Sequence, residues 1–135
     1  MNVSQTLSSA MLSAGDALFN SGTLVAYSGV MPATPETALS GNVALATWTF
    51  SATAFSAPTF GAGNESGTAS FVASSQTPSS NATVTFMRAL QSNGTTVLAD
   101  YTVGTTGTDV IVGNTGFQTG VPVTLSSFIQ RLPAV

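Results

Sequence analysis

Residues 83–103, TVTFMRALQSNGTTVLADYTV, place Asn93-Gly94 between two β-rich runs. Asn-Gly tolerates the positive φ that a two-residue type I′ hairpin needs at both central positions. Pairing Ser92 with Thr95 sets the register: Leu90 opposes Val97, Arg88 opposes Ala99, Phe86 opposes Tyr101 and Val84 opposes Val103. Val84, Phe86, Leu90, Val97, Tyr101 and Val103 then share an apolar face with Arg88 in its middle. A hairpin with such a face is marginal alone and must pack on further strands.

Those strands are legible on both sides. TLVAYSG reads as a strand, and MPATPETALSG as a connection stiffened by Pro32 and Pro35. NVALATWTFS follows, with Val43 and Leu45 on one face and Ala44, Ala46, Trp48 and Phe50 on the other. AFSAPTFGAG is an edge strand interrupted at Pro58. GTASFVASS, TDVIVGN and VPVTLSSFIQRL complete the set, spaced by Gly, Pro or Asn turns. Short strands at such intervals predict a mainly β fold, an antiparallel β-sandwich or barrel of jelly-roll type. In front of them, Val3, Leu7, Met11, Ala14 and Leu18 recur at helical spacing, with Asn2 or Ser4 to cap and Gly22 to stop. This predicts an N-terminal helix or arm over residues 1–22 and a single β domain over 23–135.

Charge narrows the function. Only 5% of the 135 residues are charged: Arg88 and Arg131 against Asp16, Glu36, Glu65, Asp100 and Asp109. Two arginines cannot supply the row of phosphate contacts that nucleic-acid binding requires. The chain has no cysteine and no histidine, which excludes disulfides, thiolate chemistry, Ser-His triads and the commonest metal ligands. No apolar run is long enough to span a membrane, and the amino terminus has no basic segment leading an apolar one, so a soluble protein made in a cytoplasm is expected. Weak electrostatic repulsion favours packing against identical copies or a partner.

The remaining candidates for chemistry have structural readings. Asp100 falls on the face opposite Arg88 in this register, a solvated strand position. Asp109 follows GTTGT and reads as a turn carboxylate accepting backbone N–H groups. Glu36 sits in a loop tip, and no two acids share a spacing that would pair them for glycoside hydrolysis. GAGNESG, residues 61–67, lacks the lysine and helix of a phosphate cradle. No catalytic residue, metal site or cofactor is expected. Arg88 stands out, because a guanidinium on an apolar face must be hydrogen-bonded or reach water. Its stem would pack on Phe86 and Tyr101, with its head on loop carbonyls or an acid such as Glu65; alternatively it anchors an interface. Met31, Pro32, Pro35, Leu39, Trp48 and Tyr101 complete the candidate structural or interface anchors.

Several of these stretches together resemble a known family. SGTLVAYSG (21–29) and MPATPETALSG (31–41) are similar to the "SGTL-x-IYSG" strand and "xPA-x-x-x-TA-x-x-G" loop of small structural proteins of tailed bacteriophages. FMRALQSNGTTVLADYTVGTTGTDVIV (86–112) resembles that group's "F-R-x-L-x-x-x-G-T-x-V" hairpin and "VG-x-x-G-x-D" segment. The likeness covers most of residues 19–128. It departs at Met87, where a second large aromatic is usual, and at Asn93, where Asp is common. The resemblance implies a capsid decoration, or cement, protein that sits outside the phage head and ties major capsid subunits together. It further implies a dimer or trimer, made in the bacterial host and located on the virion. A head-fibre, connector or tail-tube component, or a host-surface carbohydrate-binding module, are the alternative roles.

Overall fold

The computed structural model describes residues 3–61 and 64–133. The Ser4 hydroxyl accepts the Leu7 N–H at 3.2 Å and starts helix α1, Gln5–Ala17. After the helix the chain turns through Ser21, at φ 57, into Gly22. A β-carbon at Gly22 would stand 2.3 Å from the Leu90 carbonyl oxygen. Gly22 is therefore required by close backbone approach to a neighbouring strand, beyond any role as a helix stop.

Eleven strands follow: β1 (Thr23–Tyr27), β2 (Ala44–Phe55), β3 (Thr59–Gly61), β4 (Asn64–Phe71), β5 (Ser75–Gln76), β6 (Ala82–Thr83), β7 (Phe86–Leu90), β8 (Val97–Gly104), β9 (Val110–Val112), β10 (Gly116–Phe117) and β11 (Val123–Pro133). Neighbours run β4-β2-β1-β7-β8-β9-β11, and β11 returns to pair with β4, closing a seven-stranded barrel. The fold is mainly β with one N-terminal helix, as expected. Of the sandwich and the barrel, the barrel forms: one sheet closes on itself, where a jelly roll would stack two. Closure leaves the ring without the unpaired edges that invite aggregation. β3 and β5 extend the sheet beyond the ring, and β6 pairs with β10 in a separate ribbon. Every pairing is antiparallel except β8 with β9, which run parallel.

Aromatic rings fill the barrel. Phe50 stacks on Phe71 at 4.7 Å between centroids, Phe55 meets Phe128 edge-on at 5.5 Å, and Tyr101 meets Phe128 at 4.6 Å. Trp48 is fully buried, and its indole N–H donates to the Ser74 carbonyl at 3.0 Å, so no polar group is stranded there. Helix α1 lies outside, against β2, β3, β4 and β11 of its own barrel.

Two bulges correct the expected faces. On β2, Tyr27 pairs with Ala44 and Ala26 with Ala46, so Leu45 is an extra residue. It joins Ala46 and Trp48 in the core instead of facing away from them. On β8, Leu90 pairs with Val97 as expected, but Ala89 already pairs with Ala99, leaving Leu98 extra. From there on the register differs by one: Arg88 opposes Asp100, Met87 opposes Tyr101 and Phe86 opposes Thr102. A one-residue shift exchanges faces. Met87, Ala89 and Tyr101 therefore point into the barrel, and Phe86, Arg88 and Asp100 lie on its outer wall.

The turn also differs from expectation. Gly94 donates to the Gln91 carbonyl at 2.9 Å, and Gln91 to Thr96 at 2.9 Å, closing a loop over Ser92–Thr95. Gly94 has φ 76, whereas Asn93 is not in the positive-φ region, so the turn is not type I′. Asn93 Oδ1 instead accepts the N–H groups of Thr95 and Thr96.

Candidate functional site

The loop of residues 28–43, between β1 and β2, is braced on both limbs and carries exposed apolar side chains by its base. Its base is closed by Ser28 donating to the Val43 carbonyl at 3.0 Å. The Asn42 amide nitrogen donates to the carbonyls of Ser28, at 2.9 Å, and Val30, at 3.1 Å. Asn42 Oδ1 accepts the Ser40 N–H, so one side chain ties both limbs together. Gly29, at φ 88, makes this possible, since a β-carbon there would meet Asn42 Nδ2 at 2.8 Å. The Thr85 hydroxyl, from the segment before β7, reaches the carbonyls of Tyr27 and Gly29.

The far limb is held by Arg88. Its Nε and Nη2 grip Asp100 at 2.6 and 2.8 Å, and Nη1 and Nη2 each donate to the Thr37 carbonyl at 3.3 Å. The hydrogen bond to Asp100 raises the arginine further above its already high pKa. Thr37 N–H returns to Thr34 at 3.0 Å, and the two threonine hydroxyls join at 3.0 Å, so the PATPET turn is itself closed. The loop thus covers the outer wall of β7, and Arg88 lies between wall and loop. Tyr27 stacks on Phe86 at 5.4 Å in the same layer, and burial raises its phenol pKa.

The sequence candidates separate into two groups. Met31, Pro32, Pro35 and Leu39 all belong to this loop; Met31 is exposed and the other three are half-buried. Trp48 and Tyr101 are core residues, with Tyr101 hydrogen-bonded to Gln130 at 3.0 Å. Arg88 is buried, its head on a loop carbonyl as expected, but its acid is Asp100, which the expected register had placed on the opposite, solvated face. The Glu65 side chain, the acid first considered for it, lies outside the described residues. Tyr101, expected under the arginine stem, is on the other face of the sheet.

Three features escaped sequence reasoning. Val30 is 86% exposed, Val43 48% and Met31 41%, apolar side chains left open at the base of the loop, where Ser28 and Asn42 close it. Asn42 braces it, and Asp100 completes the arginine clamp. The run Gly29-Val30-Met31-Pro32 carried a signal, because a valine and a methionine between a glycine and a proline sit where no strand can bury them.

Two other acids lie as follows. Asp109 accepts the N–H and hydroxyl of Thr102 at 3.1 and 2.9 Å, the turn role expected of it. Glu36 is exposed on the loop. Among the described residues no three histidine, cysteine or acidic side chains group as metal ligands, and no helix is long and apolar enough to cross a membrane.

Comparison with protein-family models, curated proteins and solved structures finds no match to this chain.

Proposed function

We propose that this chain is a structural protein of a tailed bacteriophage, a decoration protein that docks on the outside of the head through the exposed apolar side chains of the 28–43 loop. The bacteriophage reading rests on the motifs at 21–41 and 86–112. The docking reading rests on one observation: Val30, Met31 and Val43 are exposed on a loop that Asn42, Arg88 and Thr85 hold in a single shape. Exposed apolar groups on a preorganised loop lose little conformational entropy when a partner covers them. The two prolines act in the same direction by limiting the free loop.

The partner is the major capsid protein, and dimeric or trimeric copies bridge its subunits. Affinity per copy can be modest, because repetition over a lattice multiplies weak contacts. A charge-poor wall suits close packing between copies. No enzymatic role is proposed: Asp100 is clamped by Arg88 and Asp109 closes a turn. A carbohydrate platform finds little support, since the single tryptophan is fully buried and Tyr101 is in the core.

The reading is tested by adding purified protein to heads that lack it and measuring co-sedimentation. Saturable binding that disappears when Val30 and Met31 are both replaced by serine is expected. Binding that survives the double replacement removes this apolar patch from the interface, and absence of binding removes the decoration role.

A further inference from the structure

Helix α1 meets the barrel with its less apolar face. The buried positions are Ser8, Leu12 and Asp16, one turn apart, whereas Leu7, Met11 and Leu18 are 47–50% exposed. The stripe expected to lie on the sheet therefore faces outward. Ser8 has a local partner, its hydroxyl donating to the Gln5 carbonyl at 3.1 Å. Asp16 has none. It is 5% exposed, and neither carboxylate oxygen has a hydrogen-bond partner among the described residues.

The carboxyl nevertheless has a built berth. A β-carbon on Gly67 of β4 would stand 3.0 Å from Asp16 Oδ2, so glycine at that position makes the room. A neutral acid can sit there at modest cost; an ionised one loses its hydration and gains nothing in return. Burial accordingly pushes the Asp16 carboxyl from 3.8 up to about 6.

The surroundings hold little else that titrates. β2 and β3 contribute no ionisable side chain. β4 carries Glu65, whose side chain lies outside the described residues. β11 carries Arg131, exposed and forming no ion pair with Asp16 within 4.0 Å. From β8, Tyr101 is buried against Gln130 and stays neutral through the range concerned, its phenol pKa raised by burial. On α1 itself Asp16 is the only ionisable group.

We propose that Asp16 makes α1 a pH-sensitive latch, docked most tightly on its barrel when the carboxyl is protonated and loosened when it ionises. The group takes up a proton on docking, so its contribution is complete below the free value of 3.8 and is lost as pH rises through about 6. Between pH 5 and pH 7.5 these two values weaken docking by roughly tenfold. Loosening frees a helix on which Leu7, Met11 and Leu18 are already about half exposed. The inference rests on α1 and its berth alone and does not depend on the bacteriophage reading.

Hydrogen exchange of the α1 amides, corrected for intrinsic rates at pH 5 and pH 7.5, tests it on the intact chain. Protection in the wild type falls by roughly tenfold at the higher pH while the β7 amides keep theirs, and Asp16→Asn abolishes the fall. Equal protection at both pH values in the wild type, or an unchanged fall in Asp16→Asn, overturns the latch. Should the variant not fold, carboxyl-carbon titration of the wild type decides alone: a midpoint near 6 upholds the proposal and one near 4 overturns it.

Discussion

Arg88 and Asp100 face each other directly across β7 and β8, joined through Nε–Oδ1 at 2.6 Å and Nη2–Oδ2 at 2.8 Å, both side chains about 95% buried. The guanidinium also reaches the Thr37 carbonyl, so the pair connects the barrel wall to the PATPET turn 51 residues earlier in the chain. Planar, bidentate geometry is the feature a lysine could not reproduce. The loop over residues 28–43 is shaped by this clamp at one limb and by Asn42 at the other.

Removing one member leaves the other charge buried and unpaired. Arg88→Ala is expected to cost about 3–5 kcal/mol in urea unfolding. Replacing both members by apolar groups, Arg88→Met with Asp100→Leu, is expected to recover most of that loss. A single variant as stable as the wild type would falsify the clamp.

Asn42→Ala deletes two donated hydrogen bonds and one accepted one at the loop base. A cost of about 1–2 kcal/mol is expected, concentrated in the loop. Amide exchange should accelerate at residues 28–43 and remain unchanged in β7. Uniform acceleration over the barrel would mean that the loop and the ring unfold together.

Val30 is almost free of its own chain and Met31 is partly exposed. Serine at both positions should leave unfolding within about 0.5 kcal/mol of the wild type. A large loss of stability would show that these side chains are packed in the free protein, contrary to their 86% and 41% exposure.

Glycines divide by what surrounds them. Gly15→Ala, in helix α1 with open space around it, should stabilise by about 0.5–1 kcal/mol. Gly22→Ala must push against the Leu90 backbone and should destabilise by at least about 2 kcal/mol, measured by thermal unfolding. Equal effects at the two positions would contradict the close approach of β1 and β7.

Strands, helix and hairpin could be read from the chain because each depends on local pattern: period, caps and an Asn-Gly turn. What stayed hidden depends on single insertions. Leu45 and Leu98 each add one residue to a strand, and nothing in their identity marks them as bulges. The second of these moved Tyr101 into the barrel and Asp100 onto Arg88. Asn42 was not legible because its partners are carbonyls 12 and 14 residues away. For α1 the period was visible but not its orientation. The leucines predicted to lie inward are outward, and Asp16 sits where Gly67 leaves space.

The proposed decoration role is tested most directly by counting. The proposal requires a phage or prophage that encodes this chain, on whose purified particles its copies are quantified on protein gels and located with gold-labelled antibody. Hundreds of copies distributed over the head are the expected result. A few copies at a vertex or along the tail, or none at all, would contradict a decoration protein.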